Sequence, residues 1–298
     1  MEIGVGTILY EFAGVPLKAS IQRIADFGIG YIDILAFGIF NPALFPVAEQ
    51  RVIAKEMVEC GVKASSIVTC ANGNLASNDS EEVKSAMRQL KLATLLIKEL
   101  GGRQVLVGKG VGNIDFNLPR EQAVKNVVST MKEYCDWCLK YDIIVTLELE
   151  PEALYVCNGI EAMKMLLEEI GAPNLAANID IGHLNILRLG PNDLECIKEK
   201  IVHVHISDNN GLAHTNCVIG EGNANINWYI EKLIEFGIDE NARRFNDIAV
   251  AGIEIGEPGE YIKDPDFRLL KSYGNVLLNV SAIRKNTIRK RDLVLTRK

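Results

Sequence analysis

The chain has 298 residues, an apolar fraction of 48% and a formal net charge of −7. This composition allows a large apolar core, and the acidic charge is a poor match for the phosphate backbone of a nucleic acid. We find no apolar run of about 18 residues that would predict a membrane span, and the N-terminus predicts a first strand instead of a signal peptide. We therefore expect a cytoplasmic protein with no nucleic-acid or membrane partner.

Short apolar, β-branched runs alternate with longer segments of helical period along the chain. The predicted strands are Ile3–Thr7, Tyr31–Ala36, Lys63–Val68, Gln104–Gly108, Ile144–Glu150, Leu175–Asp180, Ile201–Ser207 and Ile248–Ile255. The predicted helices are Leu17–Phe27, Leu44–Cys60, Glu81–Leu100, Arg120–Tyr141, Gly159–Ile170, a short one at Pro191–Lys200, Ile226–Phe236 and Asp266–Ala282. Asp79 followed by Glu82 resembles a capping box, and glycines follow four helices, at Gly28, Gly61, Gly101 and Gly171.

Eight strand–helix units predict an α/β fold, a single-domain (β/α)8 barrel over residues 1–285. A doubly wound sheet would alternate in the same way, but no glycine-rich phosphate turn follows the first strand. Residues 286–298 are predicted to form a basic C-terminal tail, either solvated or packed against another subunit.

The seven cysteines are odd in number and scattered, which favours free thiols in a reducing compartment. The Cys135–Cys138 pair falls in a helical pattern and is interpreted as core thiols.

The histidines and several acids cluster near the ends of the last four predicted strands. All four histidines fall between positions 183 and 214, as a metal site requires. Because alternate residues of a strand face opposite sides, the inward residues at the ends of these strands are Glu148, Glu150, Asn178, Asp180, His203, His205 and Glu254. These ends form the catalytic face of the fold. Two or three carboxylates with one imidazole suit Mn²⁺, Mg²⁺ or Co²⁺ and do not clearly exclude Zn²⁺.

Glu150 is preferred to Glu148 as a metal ligand because it lies nearer the loop, before Pro151. The deeper layer of Glu148, Asn178 and His203 is expected to orient the ligands through hydrogen bonds. The long loop after the seventh strand is expected to contact substrate. Its candidate contact residues are Asp208, His214 and Glu221.

Several motifs occur together in a recognisable order. They are Leu-Glu-Pro at 149–151, Ile-Asp-Ile-Gly-His-Leu-Asn at 179–185, His-Val-His-Ile-Ser-Asp at 203–208, Gly-Glu-Gly at 220–222 with Trp228, and Ile-Glu at 253–254. The set resembles the xylose-isomerase-like barrel superfamily of sugar isomerases and epimerases. The resemblance implies a metal held by Glu150, Asp180, His205 and Glu254, and a substrate contact by His183. In the ketose 3-epimerase branch, the glutamates matching Glu150 and Glu254 also shuttle protons.

This resemblance implies a metal-dependent isomerase or epimerase, with Mn²⁺ as the expected metal. Glu150 and Glu254 would act as base and acid on the proton α to a carbonyl, through an enediolate that the metal stabilises. The substrate would be a small carbohydrate, and the protein a homodimer or homotetramer, with a hetero-complex as the alternative.

A lyase on the same scaffold is the main competing hypothesis, either an inosose-type dehydratase or a 3-keto-glycoside eliminase. It is motivated by two departures from the epimerase branch. Residues 152–156 replace an Asn-Arg-Phe-Glu run, and Gly211 stands in place of an arginine. An abasic-site endonuclease is disfavoured by the small number of histidines and the negative charge. A non-catalytic barrel is disfavoured by the complete candidate ligand set.

Overall fold

Eight parallel strands close into a barrel in chain order. The computed structural model describes residues 1–69, 73–114, 117–256 and 261–283. The strands are β1 Glu2–Gly6, β2 Tyr31–Leu35, β3 Lys63–Thr69, β4 Gln104–Val107, β5 Ile144–Leu147, β6 Leu175–Asp180, β7 Ile201–Ile206 and β8 Val250–Ile253. Closure comes from parallel pairing of β1 with β8, where Val5 lies opposite Ile253. The predicted single (β/α)8 barrel is confirmed.

Helices follow the strands on the outside of the barrel. They are α1 Ile8–Glu11, α2 Leu17–Asp26, α3 Val47–Cys60, α4 Ser80–Glu99, α5 Arg120–Leu139, α6 Ile160–Ile170, α7 Ile181–Leu187, α8 Ile226–Glu235, α9 Ile238–Arg244 and α10 Pro265–Asn279. The predicted short helix at Pro191–Lys200 is a 3₁₀ helix. The predicted start of α3 at Leu44 is wrong, because Pro46 excludes the helical conformation at Phe45, which is extended.

Local signals in the sequence mark several helix ends correctly. The Asp79 side chain accepts a hydrogen bond from the backbone N–H of Glu81 and so caps α4. Gly61 and Gly171 follow α3 and α6 with φ of 71° and 61°, the left-handed conformation that ends a helix and that glycine adopts without strain.

The cysteine pair of α5 lies in the core between helices and barrel. Cys135 and Cys138 are fully buried free thiols, and burial raises their pKa to about 12 and about 11. Thiols held in the neutral form are poor nucleophiles and poor metal ligands, which confirms the interpretation as core residues. No helix in the described ranges is long and apolar enough to cross a membrane. The predicted basic tail, residues 286–298, lies outside the described residues.

Candidate functional site

Carboxylates from three strand ends converge on one imidazole nitrogen at the carboxyl-terminal mouth of the barrel. The Nδ1 atom of His205 lies 2.8 Å from Oε2 of Glu254 and 3.2 Å from Oε1 of Glu148. It lies 3.9 Å from Oδ2 of Asp180. Glu148, Asp180 and His205 are buried, whereas 19% of the Glu254 side chain is exposed. We name these four residues the cradle.

The cradle is strongly charged and largely shielded from water. Burial by itself lowers the pKa of His205, but the negative charges of Glu254 and Glu148 outweigh it, so that this pKa lies well above its ordinary value. Burial by itself raises the pKa of Asp180. The positive charges of His183 and His205, with a hydrogen bond from Ser207, outweigh burial and lower it. The cradle therefore holds concentrated negative charge around a single basic nitrogen.

The donor set of the cradle fits a divalent cation. Within the described part of the chain, its carboxylates form ion pairs with histidines and not with lysine or arginine. Buried carboxylates require a compensating positive charge. Carboxylate oxygens combined with one imidazole nitrogen are ligands that Mn²⁺, Mg²⁺, Co²⁺ and Zn²⁺ accept.

The structure brings Glu148, and not the expected Glu150, together with Asp180 and His205. One ligand atom from each of these three residues lies within 4.8 Å of the others. Strand β5 ends at Leu147, so alternation along a strand does not govern the direction of Glu150. Its Oε1 atom instead accepts a hydrogen bond of 2.7 Å from the backbone N–H of Lys109. Burial raises the pKa of Glu150 to about 7.

Glu150 lies beside a pair of histidines that sequence analysis assigned to substrate contact. The Nε2 atoms of His183 and His214 are 2.8 Å apart. His183 Nδ1 lies 2.8 Å from the carbonyl oxygen of Leu149, and His214 Nδ1 lies 3.2 Å from Oε1 of Glu152. Burial by itself lowers the pKa of His214, but the hydrogen bond with Glu152 outweighs it and raises this pKa. Glu152 is not among the site residues predicted from the sequence.

A buried polar network lies beneath the cradle and ends on β2. Asn178 donates from Nδ2 to Oε1 of Glu148 at 2.5 Å. Because the other end of that amide can only accept, His203 donates to it from Nδ1 at 3.1 Å. His203 Nε2 lies 3.0 Å from Oδ1 of Asp33 without forming a hydrogen bond, and that oxygen accepts hydrogen bonds from the hydroxyls of Ser65 and Ser66. Asn178 and His203 thus lie where orienting residues were expected, and Asp33 extends the network.

Two of the predicted loop residues form contacts within the protein. Asp208 is 1% exposed, and its carboxylate accepts three backbone hydrogen bonds, from Gly220, Gly222 and Ala224. It therefore anchors the loop after β7 and has little capacity left for a substrate. Glu221 is exposed and forms an ion pair with Lys271 on α10. Glu221 and Lys271 line a groove of about 660 Å³.

The same groove reaches the cradle through Asn216, a residue that sequence analysis missed. Asn216 is 7% exposed and lines the groove. Its Nδ2 atom donates to Oε1 of Glu254 at 3.4 Å, while Oε2 of Glu254 faces His205. No sequence signal marks Asn216, since loop asparagines commonly form turns.

Comparisons with known proteins agree with this architecture. A D-tagatose 3-epimerase-like protein has a TM-score of 0.79 and 23% identity, covering 96% of this chain and 100% of that one. The IOLI protein with a bound zinc atom has a TM-score of 0.79 and 17% identity, covering 95% of this chain and 99% of that one. At these identities the likeness establishes a shared fold.

Among curated sequences, an uncharacterized protein of Methanocaldococcus jannaschii, MJ1311, is 34% identical over 123 residues, which are 40% of this chain and 42% of that protein. The matches span less than half the length of the curated relatives. The family model for the xylose isomerase-like TIM barrel matches residues 21–241, which is most of the barrel. The chain therefore belongs to the xylose isomerase-like TIM barrel family.

Proposed function

We propose that this protein is a divalent-metal-dependent sugar isomerase or epimerase that moves a proton on the carbon next to a carbonyl group. The observation that carries the proposal is the cradle, in which Glu148, Asp180 and Glu254 meet His205 at the catalytic mouth. The solved structures that share this fold include a D-tagatose 3-epimerase-like protein and a zinc-bound IOLI protein. The D-tagatose in the name of the first is a ketose, which supports a small keto-sugar as the substrate of this chain.

The cradle residues are the proposed metal ligands, with Glu148 in the position first assigned to Glu150. Mn²⁺ is the preferred metal because three of the four donors are carboxylates. When bound there, the cation would supply Lewis-acid stabilisation of the negative charge that develops on the substrate oxygens. Asn178 would keep Glu148 in its ligand orientation through the hydrogen bond to Oε1.

Glu150 and Glu254 are the proposed proton carriers. A side chain that removes and returns a proton works best with a pKa near the working pH, and burial raises the pKa of Glu150 to about 7. Glu254 is the most exposed member of the cradle and is held by Asn216 at one oxygen. One carboxylate takes the α-proton from carbon, and return of a proton to the opposite face gives the epimer. His183 and His214 border the same space and would contact the substrate.

The proposal is tested by isotope exchange. The Mn²⁺-loaded protein is incubated in D₂O with free ketoses, inososes and 3-keto-glycosides, and each compound is followed by mass spectrometry. Gain of one deuterium with an otherwise unchanged formula is the expected result. Glu254→Gln and Glu150→Gln should each abolish it, and exchange retained in both variants would remove them from the mechanism. Loss of water or of an aglycone would assign a lyase instead, and no change in any compound would overturn the proposal.

The choice of Glu148 as ligand has its own test. Glu148→Gln should weaken Mn²⁺ binding by about 10-fold or more, whereas Glu150→Gln should leave Mn²⁺ affinity within about 2-fold. Free Mn²⁺ measured by electron paramagnetic resonance gives both affinities. The reverse outcome, in which only Glu150→Gln loses Mn²⁺, would restore the sequence-based assignment.

A further inference from the structure

The groove beside the cradle has no role in the proposed reaction. It lies between the loop after β7 and the start of α10, and its volume is about 660 Å³. The described residues that line it include no member of the cradle and neither His183 nor His214. Clefts of about 300–1,000 Å³ hold whole drug-sized ligands. The groove therefore offers binding space in addition to the space that the reacting keto-sugar would fill.

Asn216 joins the groove to the cradle and carries an unused acceptor. Its Nδ2 atom donates to Oε1 of Glu254 at 3.4 Å. Its Oδ1 atom is buried and has no hydrogen-bond partner among the described residues. A buried acceptor without a donor is costly, and a hydroxyl group of a ligand supplies the missing donor. An ionised phosphate or carboxylate group cannot, because its oxygens only accept.

Two exposed aromatic rings also line the groove. Tyr261, just before α10, is 70% exposed, and Phe267, in the first turn of α10, is 65% exposed. Aromatic side chains that remain in water at a cleft are typical of ligand-binding surfaces. A flat aromatic ring stacks well against the apolar C–H face of a pyranose ring. The two rings thus suit a sugar ring as the ligand.

The charged side chains that line the groove have both signs. They are Lys263, Arg268, Lys271, Glu221 and Asp264, and Lys271 forms an ion pair with Glu221. The two carboxylates offset most of the positive charge that would attract an anion. Sugar hydroxyls both donate and accept hydrogen bonds, so they bind side chains of either sign. The charges therefore favour a neutral, polyhydroxylated ligand over an anionic one.

We propose that the substrate is a keto-sugar joined to a second sugar ring, and that the groove binds this second ring. The keto-sugar would lie over the cradle, with Asn216 at the junction between the two rings. Tyr261 and Phe267 would stack on the second ring. The inference rests on the proposed function, because it assigns the remainder of the same substrate. It changes the substrate class from a free monosaccharide to a keto-disaccharide.

Binding measurements test the proposal without any reaction. The probes are fructose and three keto-disaccharides that carry a glucosyl ring on oxygen 4, 5 or 6 of fructose. Isothermal titration calorimetry with the Mn²⁺-loaded, full-length protein gives each dissociation constant. At least one keto-disaccharide should bind about 10-fold or more tightly than fructose. The proposal is overturned if all three bind no more tightly than fructose. It is also overturned if fructose 6-phosphate binds more tightly than every keto-disaccharide, because the groove would then bind an anion.

Removal of one aromatic ring at a time tests where the second sugar ring binds. Phe267→Ala and Tyr261→Ala should each weaken the tightest keto-disaccharide by about 3- to 10-fold and change fructose affinity by less than about 2-fold. Leu278→Ala is the matched control, since this side chain of α10 is 69% exposed and does not line the groove. Circular dichroism checks that each variant is folded. Unchanged keto-disaccharide affinity in both ring variants would place the second ring outside the groove and overturn the proposal.

Deuterium exchange separates a failure of the groove from a failure of the reaction. Exchange into the keto-disaccharide should have a higher kcat/KM than exchange into fructose, and Phe267→Ala should lower only the former. Equal values for the two sugars, unchanged in Phe267→Ala, would overturn the groove proposal and leave the proposed reaction intact. Tight, Phe267-dependent binding of a keto-disaccharide without exchange into any compound would support the groove and overturn the reaction.

Discussion

Space for the Asp33 carboxylate on β2 comes from a missing side chain on β8, which lies on the other side of β1. A Cβ atom added to Gly252 would lie 1.9 Å from Oδ2 of Asp33 and 3.6 Å from Cδ2 of His205. Asp33 cannot readily retreat, since the hydroxyls of Ser65 and Ser66 hold its other oxygen at 2.7 Å. The absence of a side chain at Gly252 is therefore part of how the barrel interior accommodates a carboxylate.

We predict that Gly252→Ala lowers the free energy of unfolding by about 1–3 kcal/mol, the usual cost of overpacking a core. Urea denaturation followed by circular dichroism measures the loss. Gly30→Ala is the control, because a Cβ atom there meets nothing within 4 Å. Equal losses in the two variants would show that the contact with Asp33 is not the cause.

Residue-level prediction from the sequence succeeded where a strand was regular. Alternation along β6 and β7 correctly predicted which side chains face the barrel interior, namely Asn178, Asp180, His203 and His205. The same alternation would have found Asp33, which stands between Ile32 and Ile34 on β2, had that strand been searched for polar residues. Alternation could not decide between Glu148 and Glu150, because both residues lie beyond the end of β5.

The loop after β4 contains an element of unusual backbone conformation. Lys109, Gly110 and Val111 have φ of 52°, 55° and 64°, so that three consecutive residues are left-handed. This conformation costs roughly 1–2 kcal/mol per residue with a Cβ atom. The turn directs the N–H of Lys109 to Glu150, while the carbonyl of Gly110 accepts from Cys157. The strained turn thus orients Glu150, a proposed proton carrier, through the N–H of Lys109.

We predict that Lys109→Gly stabilises the protein relative to Lys109→Ala by about 0.5–1 kcal/mol. Both substitutions remove the exposed side chain, and only glycine relieves the left-handed strain. The hydrogen bond from residue 109 to Glu150 uses the backbone and is retained in both. The difference in free energy of unfolding from urea titrations is the measurement, and equal stability would mean that the turn is not strained at Lys109.

Helix α1 carries a buried carboxylate that makes stability depend on pH. Glu11 is 8% exposed, and burial raises its pKa to about 7. Its Oε1 accepts from the backbone N–H of Ile39, and Oε2 has no hydrogen-bond partner among the described residues. Because the folded state binds this proton more tightly than the unfolded chain, its stabilising contribution is full below about pH 4.5. It is lost as the pH rises to about 7.

The amide of Glu11→Gln cannot ionise, so this variant should not lose stability over that range. Relative to wild type, we expect it to gain about 1–3 kcal/mol between pH 5 and pH 8. Urea titrations at the two pH values measure the change. Glu169→Gln on α6, at an exposed position, is the control. A gain that does not grow with pH would contradict the assignment to Glu11.

The longer and more regular helices and strands were predicted more accurately from the sequence than the short ones. Helices of ten or more residues, such as α4 and α5, show a full apolar period, and their predicted bounds lie close to the observed ones. Helices α1, α7 and α9 have four to seven residues. They were missed because fewer than two turns give no measurable period. Strand β8 was predicted too long at both ends, and at the C-terminal end the reason is that Ile255, although outside the strand, is equally apolar and buried.

At the scale of the whole molecule, the cradle joins four neighbouring strand ends. Its members stand at the ends of β5, β6, β7 and β8, which are consecutive around the barrel. A bound cation would tie these strands together and would neutralise carboxylates that otherwise repel one another. Metal binding should therefore raise the free energy of unfolding of the whole barrel, in addition to supporting activity.

We predict that Mn²⁺ at about 100 times its dissociation constant raises the free energy of unfolding by about 2.7 kcal/mol over protein in chelator. For a chain of this length, that corresponds to a rise in Tm of about 4 °C. Differential scanning calorimetry with and without Mn²⁺ measures it. Glu148→Gln should show a smaller rise at the same Mn²⁺ concentration, because a weakened ligand set binds less metal. Lys271→Gln, on α10, removes a side chain that pairs with Glu221 and not with a cradle residue, so this variant should respond as wild type does. An identical Tm in Mn²⁺ and in chelator would mean that the four strand ends do not share an ion, since any ligand that binds only the folded barrel must stabilise it.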